Sequence, residues 1–199
     1  MNATGGPYPT TFNFDAPERI ANWRPLVHWL LAIPHLVILY ALEAVSDVVA
    51  VISWFAVLFT GRLPAGLAGL QAMYLRYMLR TATYFGFLRE EYPPFSFATT
   101  PADPGDDPRV AVHLVPQLEG RNRLTVAFRL ILAIPQLIVL ALLGIALFFV
   151  GVIAFFAVLF TGRWPDGLRD FALGVGRWWL RVNAYLVLLT DEYPPFTLS

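Results

Sequence analysis

Two long apolar runs, Pro25 to Phe59 and Leu124 to Phe160, dominate the chain, and the same octet, FAVLFTGR, closes each of them, at 55–62 and again at 156–163. As one helix a run of about 35 residues would be roughly 52 Å long, well beyond a hydrocarbon core near 30 Å. The pattern therefore predicts that each run divides into two spans of about 17 residues. The division is expected at Leu42 to Asp47 in the first run, where Glu43 and Asp47 supply a polar tip, and at Gly144 in the second. Pro34 and Pro135 fall inside the first span of each and should kink it, which neighbouring helices tolerate in a bilayer.

Past each FTGR a proline opens a third segment, Gly66 to about Leu88 and Gly167 to about Leu189. Its length would suffice to cross, but its charges argue against that. On a helical wheel Arg169, Asp170, Arg177 and Arg181 fall within roughly 120°, and Arg76 and Arg80, four apart, share a face. Arginine at mid-bilayer costs several kcal/mol per residue, so these segments are predicted to be amphipathic helices lying at the interface. Short alternating stretches open the copies, Phe12 and Phe14 in one and Val110, Val112 and Leu114 in the other, and read as strands with one apolar face. YPPFSFA and YPPFTLS close them and are extended, because two prolines forbid a helix. The start and end of each copy either pair with one another into a small cytoplasmic sheet or are ordered tails.

The octet is one anchor of a duplication. At a shift of 101 residues LAIP at 31–34 meets LAIP at 132–135, and EYPPF at 91–95 meets EYPPF at 192–196. Arg76, Arg80 and Tyr84 likewise meet Arg177, Arg181 and Tyr185. Repeat 1 is thus residues 1–98 and repeat 2 residues 109–199, separated by TTPADPGDDP at 99–108, whose Pro, Gly and Asp read as a linker.

Composition agrees with a membrane protein: 57% of residues are hydrophobic, 14% are charged and the mean hydropathy is +0.59. All 14 positive side chains are Arg, balanced by 14 acids, so no basic field gathers nucleic acid. Cysteine is absent, which removes disulfides and thiolate chemistry, and the three His are too dispersed to form a metal cluster. No cofactor is expected. The opening MNATGGPYPTTFNFDAPE has neither a basic n-region nor an apolar h-region, so no cleavable signal peptide is expected there. An even number of crossings per repeat puts both TGR corners on one side, and short Arg-bearing loops belong in the cytoplasm. A multi-pass protein of the cytoplasmic membrane with both termini inside follows.

The arginines are the candidate site. Arg62 and Arg163 at the corners, with Arg76, Arg80, Arg177 and Arg181 on the third helices, present guanidinium forks that match phosphate and would hold anionic lipid headgroups. The plainer reading is a solvated face that only orients an interfacial helix. Glu91 and Glu192 would latch onto those arginines, or simply keep the chain out of the membrane. His28 and His35, seven apart, share one side of the first span, but their counterparts are Arg129 and Gln136, which favours polar packing over a proton relay. No GxSxG, HExxH or P-loop pattern is present.

FTGRxPxGL, an Arg-rich aromatic helix and DEYPPF, with YPxTFxFDAPER and WRPLVxWLLAIPH at the opening, resemble the bacterial membrane-protein family described as domain of unknown function 4389, in two copies covering nearly the whole chain. The second copy departs at its start, where RVAVHLVPQLE stands for YPTTFNFDAPE, although Glu119 matches Glu18. The resemblance implies a small integral membrane protein without an assigned reaction. The fold expected is all-α, two tandem repeats, each a two-helix transmembrane hairpin plus an interfacial helix. The function expected is non-catalytic, an accessory or scaffold subunit that packs against a membrane partner or a second copy, or organises anionic lipid. The alternative is a small transporter or channel component with a path between the repeats.

Overall fold

The computed structural model describes residues 8–199; residues 1–7 of the opening stretch lie outside the described residues. The chain is mostly helical. In repeat 1 the apolar run forms α1 (Arg24–Leu31) and α2 (Ile33–Thr60). The hydrogen-bond ladder continues across Ala32, whose N–H donates to the His28 carbonyl at 2.8 Å while its own carbonyl accepts from Leu36 N–H at 2.9 Å. In repeat 2 α4 (Arg123–Ala127) leads into α5 (Arg129–Thr161) in the same way. Helix α2 alone is roughly 42 Å long and α5 roughly 50 Å at 1.5 Å per residue.

The expected divisions at 42–47 and at Gly144 are therefore absent: both positions lie inside unbroken helices, and neither run folds back on itself. Glu43 and Ala44 are good helix formers, so polarity alone did not make a turn there. Ser46 faces inward, its hydroxyl donating to Gln71 Oε1 at 2.6 Å. What does stop the helices is the octet: Gly61 and Gly162 take left-handed φ of +70° and +67°, and each donates its N–H to the carbonyl four residues back. That geometry suits glycine because a Cβ is disfavoured there. Pro64 and Pro165 then precede α3 (Ala65–Phe85) and α6 (Asp166–Leu186).

The hairpin of each repeat is thus a long apolar helix and its third helix. Helix α3 runs back along α2 and then α1, tied at Gln71 to Ser46 and at Tyr77 to His35 of α2, and at Tyr84 to His28 of α1. The water-facing charged arc expected of α3 and α6 is corrected by this packing: α3 buries Ala68, Ala72, Leu75, Arg76, Leu79 and Arg80, and α6 buries Leu173, Trp178, Leu180 and Arg181.

Strands β1 (Thr10–Phe14) and β2 (Val110–Leu114) pair antiparallel with Phe12 opposite Val112. The opening strands of the two repeats pair with each other; the YPPF segments stay extended outside this ladder, since their prolines lack donors. Strand β1 packs on α6 and β2 on α3, so each repeat covers the other's third helix. A pseudo-two-fold axis passes between the strands. Asp15 N–H donates to the Arg109 carbonyl and Val115 N–H to that of Pro9, a symmetric pair of bonds whose residues lie 100 apart. Ala21 and Asn122 N–H, which bind Glu90 and Asp191, lie 101 apart. Repeat 2 is one residue longer between strand and helix, and this accounts for the mismatch of the two openings.

Three layers result. The outer face of the sheet, with Thr11, Asn13 and His113, is exposed. Beneath it the core joins Phe12, Val112 and Leu114 to Leu75, Leu79 and Leu180. Helices α2 and α5 lie on the far side of α3 and α6. Trp54 Nε1 donates to the Val126 carbonyl, and Asn22 Nδ2 to that of Leu159, so the end of each long helix lies by the start of the other and the two run antiparallel. Only His35, Leu39, Ser46, Val49, Ser53 and Val57 of α2 are buried, while Val37, Val48 and Phe59 are 60% or more exposed.

Candidate functional site

The charged face of α3 is turned inward, onto the segment read as a linker. Arg76 donates to the carbonyls of Ala98, Thr100, Pro101 and Ala102 at 2.8–3.3 Å. Arg80 meets Asp103 at 2.9 Å and Asp106 at 2.7 Å, and Arg89 forks onto Asp107 at 2.6 and 2.7 Å. In α6 Arg181 donates to the carbonyls of Thr197 and Ser199, and Arg177 to that of Phe12 at 3.3 Å. Close approach makes this possible: a Cβ on Gly69 would come within 2.0 Å of the Thr99 carbonyl oxygen, and one on Gly174 within 2.9 Å of that of Leu198.

Arg76, Arg80 and Arg181 are therefore spoken for inside the molecule, at 2%, 2% and 7% exposure, and the reading of them as headgroup clamps is corrected. Guanidiniums buried against carboxylates and carbonyls have no free donor face for a lipid phosphate. Arg62 and Arg163 remain exposed at the corners. For Glu91 the expected latch onto the third-helix arginines is corrected too. Glu91 binds Arg109 at 2.8 Å, and Arg109 also reaches Asp15 at 2.8 Å. Burial would raise the Glu91 pKa, but the hydrogen bond and charge of Arg109 outweigh it and hold it low. Glu192 accepts the Tyr8 hydroxyl at its backbone carbonyl at 3.1 Å. The partners of Arg80 and Arg89, namely Asp103, Asp106 and Asp107, lie in the segment whose Pro, Gly and Asp read as a linker. Three acids beside an Arg-rich helix were the available signal.

Between α3 and α2, and between α6 and α5, the duplication places different chemistry at equal positions. His28 Nδ1 donates to the Tyr84 carbonyl at 2.9 Å and stacks on that ring, with centroids 4.2 Å apart. Its counterpart Arg129 donates to the Tyr185 carbonyl at 2.5 Å and lies 4.4 Å over that ring. Arg129 and Arg121 share Asp191, which also accepts Asn122 N–H at 2.8 Å. Burial pushes Asp191 up, yet the hydrogen bonds from Arg121 and Asn122 and the two positive charges hold it below the usual carboxylate range. His35 pairs with the Tyr77 hydroxyl at 2.6 Å where Gln136 accepts from Trp178 at 2.7 Å. These residues plug the helix interfaces. Among the described residues no group of three or more His, Cys, Asp or Glu could hold a metal ion.

A cavity of ≈ 660 Å³ lies between the repeats, bounded by the end of α3, α6 and the middle of α5. Phe85, Phe87, Phe148, Phe155, Trp164 and Trp179 supply its walls, with notches at Gly144 and Gly151 where a Cβ would meet nothing within 4 Å. The counterparts of those glycines in α2 are Glu43 and Ala50, so the cavity belongs to one side of the pseudo-symmetric molecule. Phe148 and Phe85, 67% and 47% exposed, carry its wall onto the outer apolar surface.

No curated protein and no solved structure matches the chain. A family model does, twice, over residues 22–96 and 123–197; both matches begin just before the apolar run and end past the YPPF segment, leaving the paired strands outside. The chain therefore belongs to the family described as Domain of unknown function (DUF4389), in two tandem copies.

Proposed function

We propose that the protein is a non-catalytic membrane protein that organises lipid, as an accessory or scaffold component. The observation that carries this reading is the outward face of α2 and α5, two helices long and apolar enough to cross a membrane that leave most of their length uncovered. A surface of that size calls for lipid or a membrane partner. The cavity between the repeats has the volume of a small-molecule site and an apolar lining continuous with that surface, which suits an acyl chain. Arg62 and Arg163, with the exposed Arg19 and Arg123 nearby, offer guanidiniums to anionic headgroups at the two ends. The transporter reading would need a polar path between the repeats, and the apolar walls of this cavity favour a lipid tail over a hydrated solute.

The test is gentle extraction followed by mass spectrometry of co-purifying lipid. Replacing Arg62 and Arg163 with Gln should lower the yield of anionic lipid several-fold, and Gly151→Leu, which fills the cavity, should lower total lipid. Lipid unchanged in both variants would overturn the proposal.

A further inference from the structure

We infer that α2 and α5 do not cross the bilayer but lie in the plane of one leaflet, apolar faces toward the hydrocarbon, with the β1–β2 sheet in water. This rests on the membrane reading above and goes beyond it by fixing the surface that meets the lipid.

The position of the sheet is the first ground. It crosses α6 at the middle of that helix, where Phe12 stands against Gly176 and its carbonyl accepts from Arg177. On α3, Gln71 and Tyr77 meet α2 and Tyr84 meets α1, while Leu79 on the opposite side joins Phe12 against Gly176. The pseudo-two-fold axis thus runs from the sheet through α3 and α6 to the long helices, perpendicular to them. Were α2 and α5 upright, the sheet would stand level with the centre of the hydrocarbon. Its edge groups bond polar partners, Val110 N–H donating to Asp107, Val112 N–H to Asp103 and Arg177 to the Phe12 carbonyl, and its outer face exposes Thr11, Asn13 and His113 beside the exposed Asp15. An exposed face of polar and charged side chains is costly against lipid tails. Laid flat, the same molecule puts the sheet in water.

Length is the second ground. After Arg129, α5 carries no charged residue to its end at Thr161, an apolar length of roughly 48 Å, and fitting that into a core of about 30 Å needs a tilt near 50°, beyond the range seen for crossing helices. In the plane of the membrane length is unrestricted.

The charges agree. Glu43 and Asp47 sit at the middle of α2, exposed, and take part in no ion pair among the described residues; an upright helix would hold them at mid-bilayer, the costliest depth. Around the helix Glu43 lies about 60° from buried Ser46 and Asp47 on the flank, about 100° from both Ser46 and the outward Val48, so that in a flat helix both carboxyls extend sideways and up toward headgroup level. The corners settle the sidedness. Gly61 lies under the Arg123 guanidinium and Gly162 beside Asn22, at opposite ends of the long helices. Upright helices would separate Arg62 from Arg163 across the membrane, whereas flat helices keep every exposed arginine on one side.

The chain has no cysteine, so single cysteines at Arg62, His113 and Arg163, all exposed, report sidedness directly. In sealed right-side-out and inside-out vesicles an impermeant maleimide should label all three from one face and none from the other. Labelling of Arg62→Cys and Arg163→Cys from opposite faces would overturn the inference while leaving membrane residence intact. Recovery of the unmodified chain in the soluble fraction without detergent would sink the membrane reading itself. Independently, nitroxides at Val37→Cys, Val48→Cys and Phe59→Cys should show equal depths; a profile deepest at Val48 and shallow at both ends would refute the flat arrangement.

Discussion

Arg89 is fully buried, with both oxygens of Asp107 and the Arg80 carbonyl as acceptors. Removing one partner of such a pair strands the other charge without water. Arg89→Gln should therefore cost about 3–5 kcal/mol in reversible unfolding, whereas exposed Arg62→Gln should change stability by less than about 0.5 kcal/mol. An equal loss in the two variants would contradict the assignment of one to the interior and the other to the surface. Asp191 sets an acid limit. Its folded pKa lies below that of the unfolded chain, near 3.9, so folding releases protons there. The stability it confers is complete above that value and is lost as pH falls through it toward the folded pKa. Asp191→Asn should lower the melting temperature at pH 7 and flatten its fall between about pH 5 and 3. Single residues were legible where chemistry was local: the TGR corners end both long helices, and His28 and His35 pack between helices, whereas Pro34 opens α2 and does not sit inside a span. What Arg76, Arg80, Arg89 and Arg181 touch was not legible, because their acceptors are carbonyls and linker carboxylates 9 to 27 residues away in sequence.

Among the elements, the third helices are an exception to a sound rule. A charged arc on an amphipathic helix ordinarily faces water, but here Asp103, Asp106 and Asp107 and the carbonyls of 98–102 come down onto it and satisfy it. The same local view divided α2 and α5, since it weighed their length against a bilayer crossed upright. The glycines test the packing that replaced those expectations. Gly69→Ala would drive a methyl into the Thr99 carbonyl, so the segment from Tyr92 to Ala102 should lift from α3. Limited proteolysis would then cut within 99–108 many-fold faster than in the parent chain, and an unchanged rate would show that the segment is not held at Gly69. Gly61→Ala and Gly162→Ala should each cost about 1 kcal/mol or more through their left-handed φ, measured by thermal unfolding.

At the scale of the molecule, the duplication was plain in the sequence and its symmetry was not, because nothing in a 101-residue repeat says whether two copies stand parallel or oppose one another. The strands decide it. Each repeat lends its opening strand to the other's third helix, so half of this chain is not half of this structure. A chain cut between Pro104 and Gly105 should hold together as two fragments that co-purify when expressed side by side, and neither fragment should be monodisperse without its complement. A polypeptide carrying one repeat alone would have to borrow the missing strand from a twin, and the natural form of such a chain is a two-fold homodimer whose interface this protein has sealed within a single backbone.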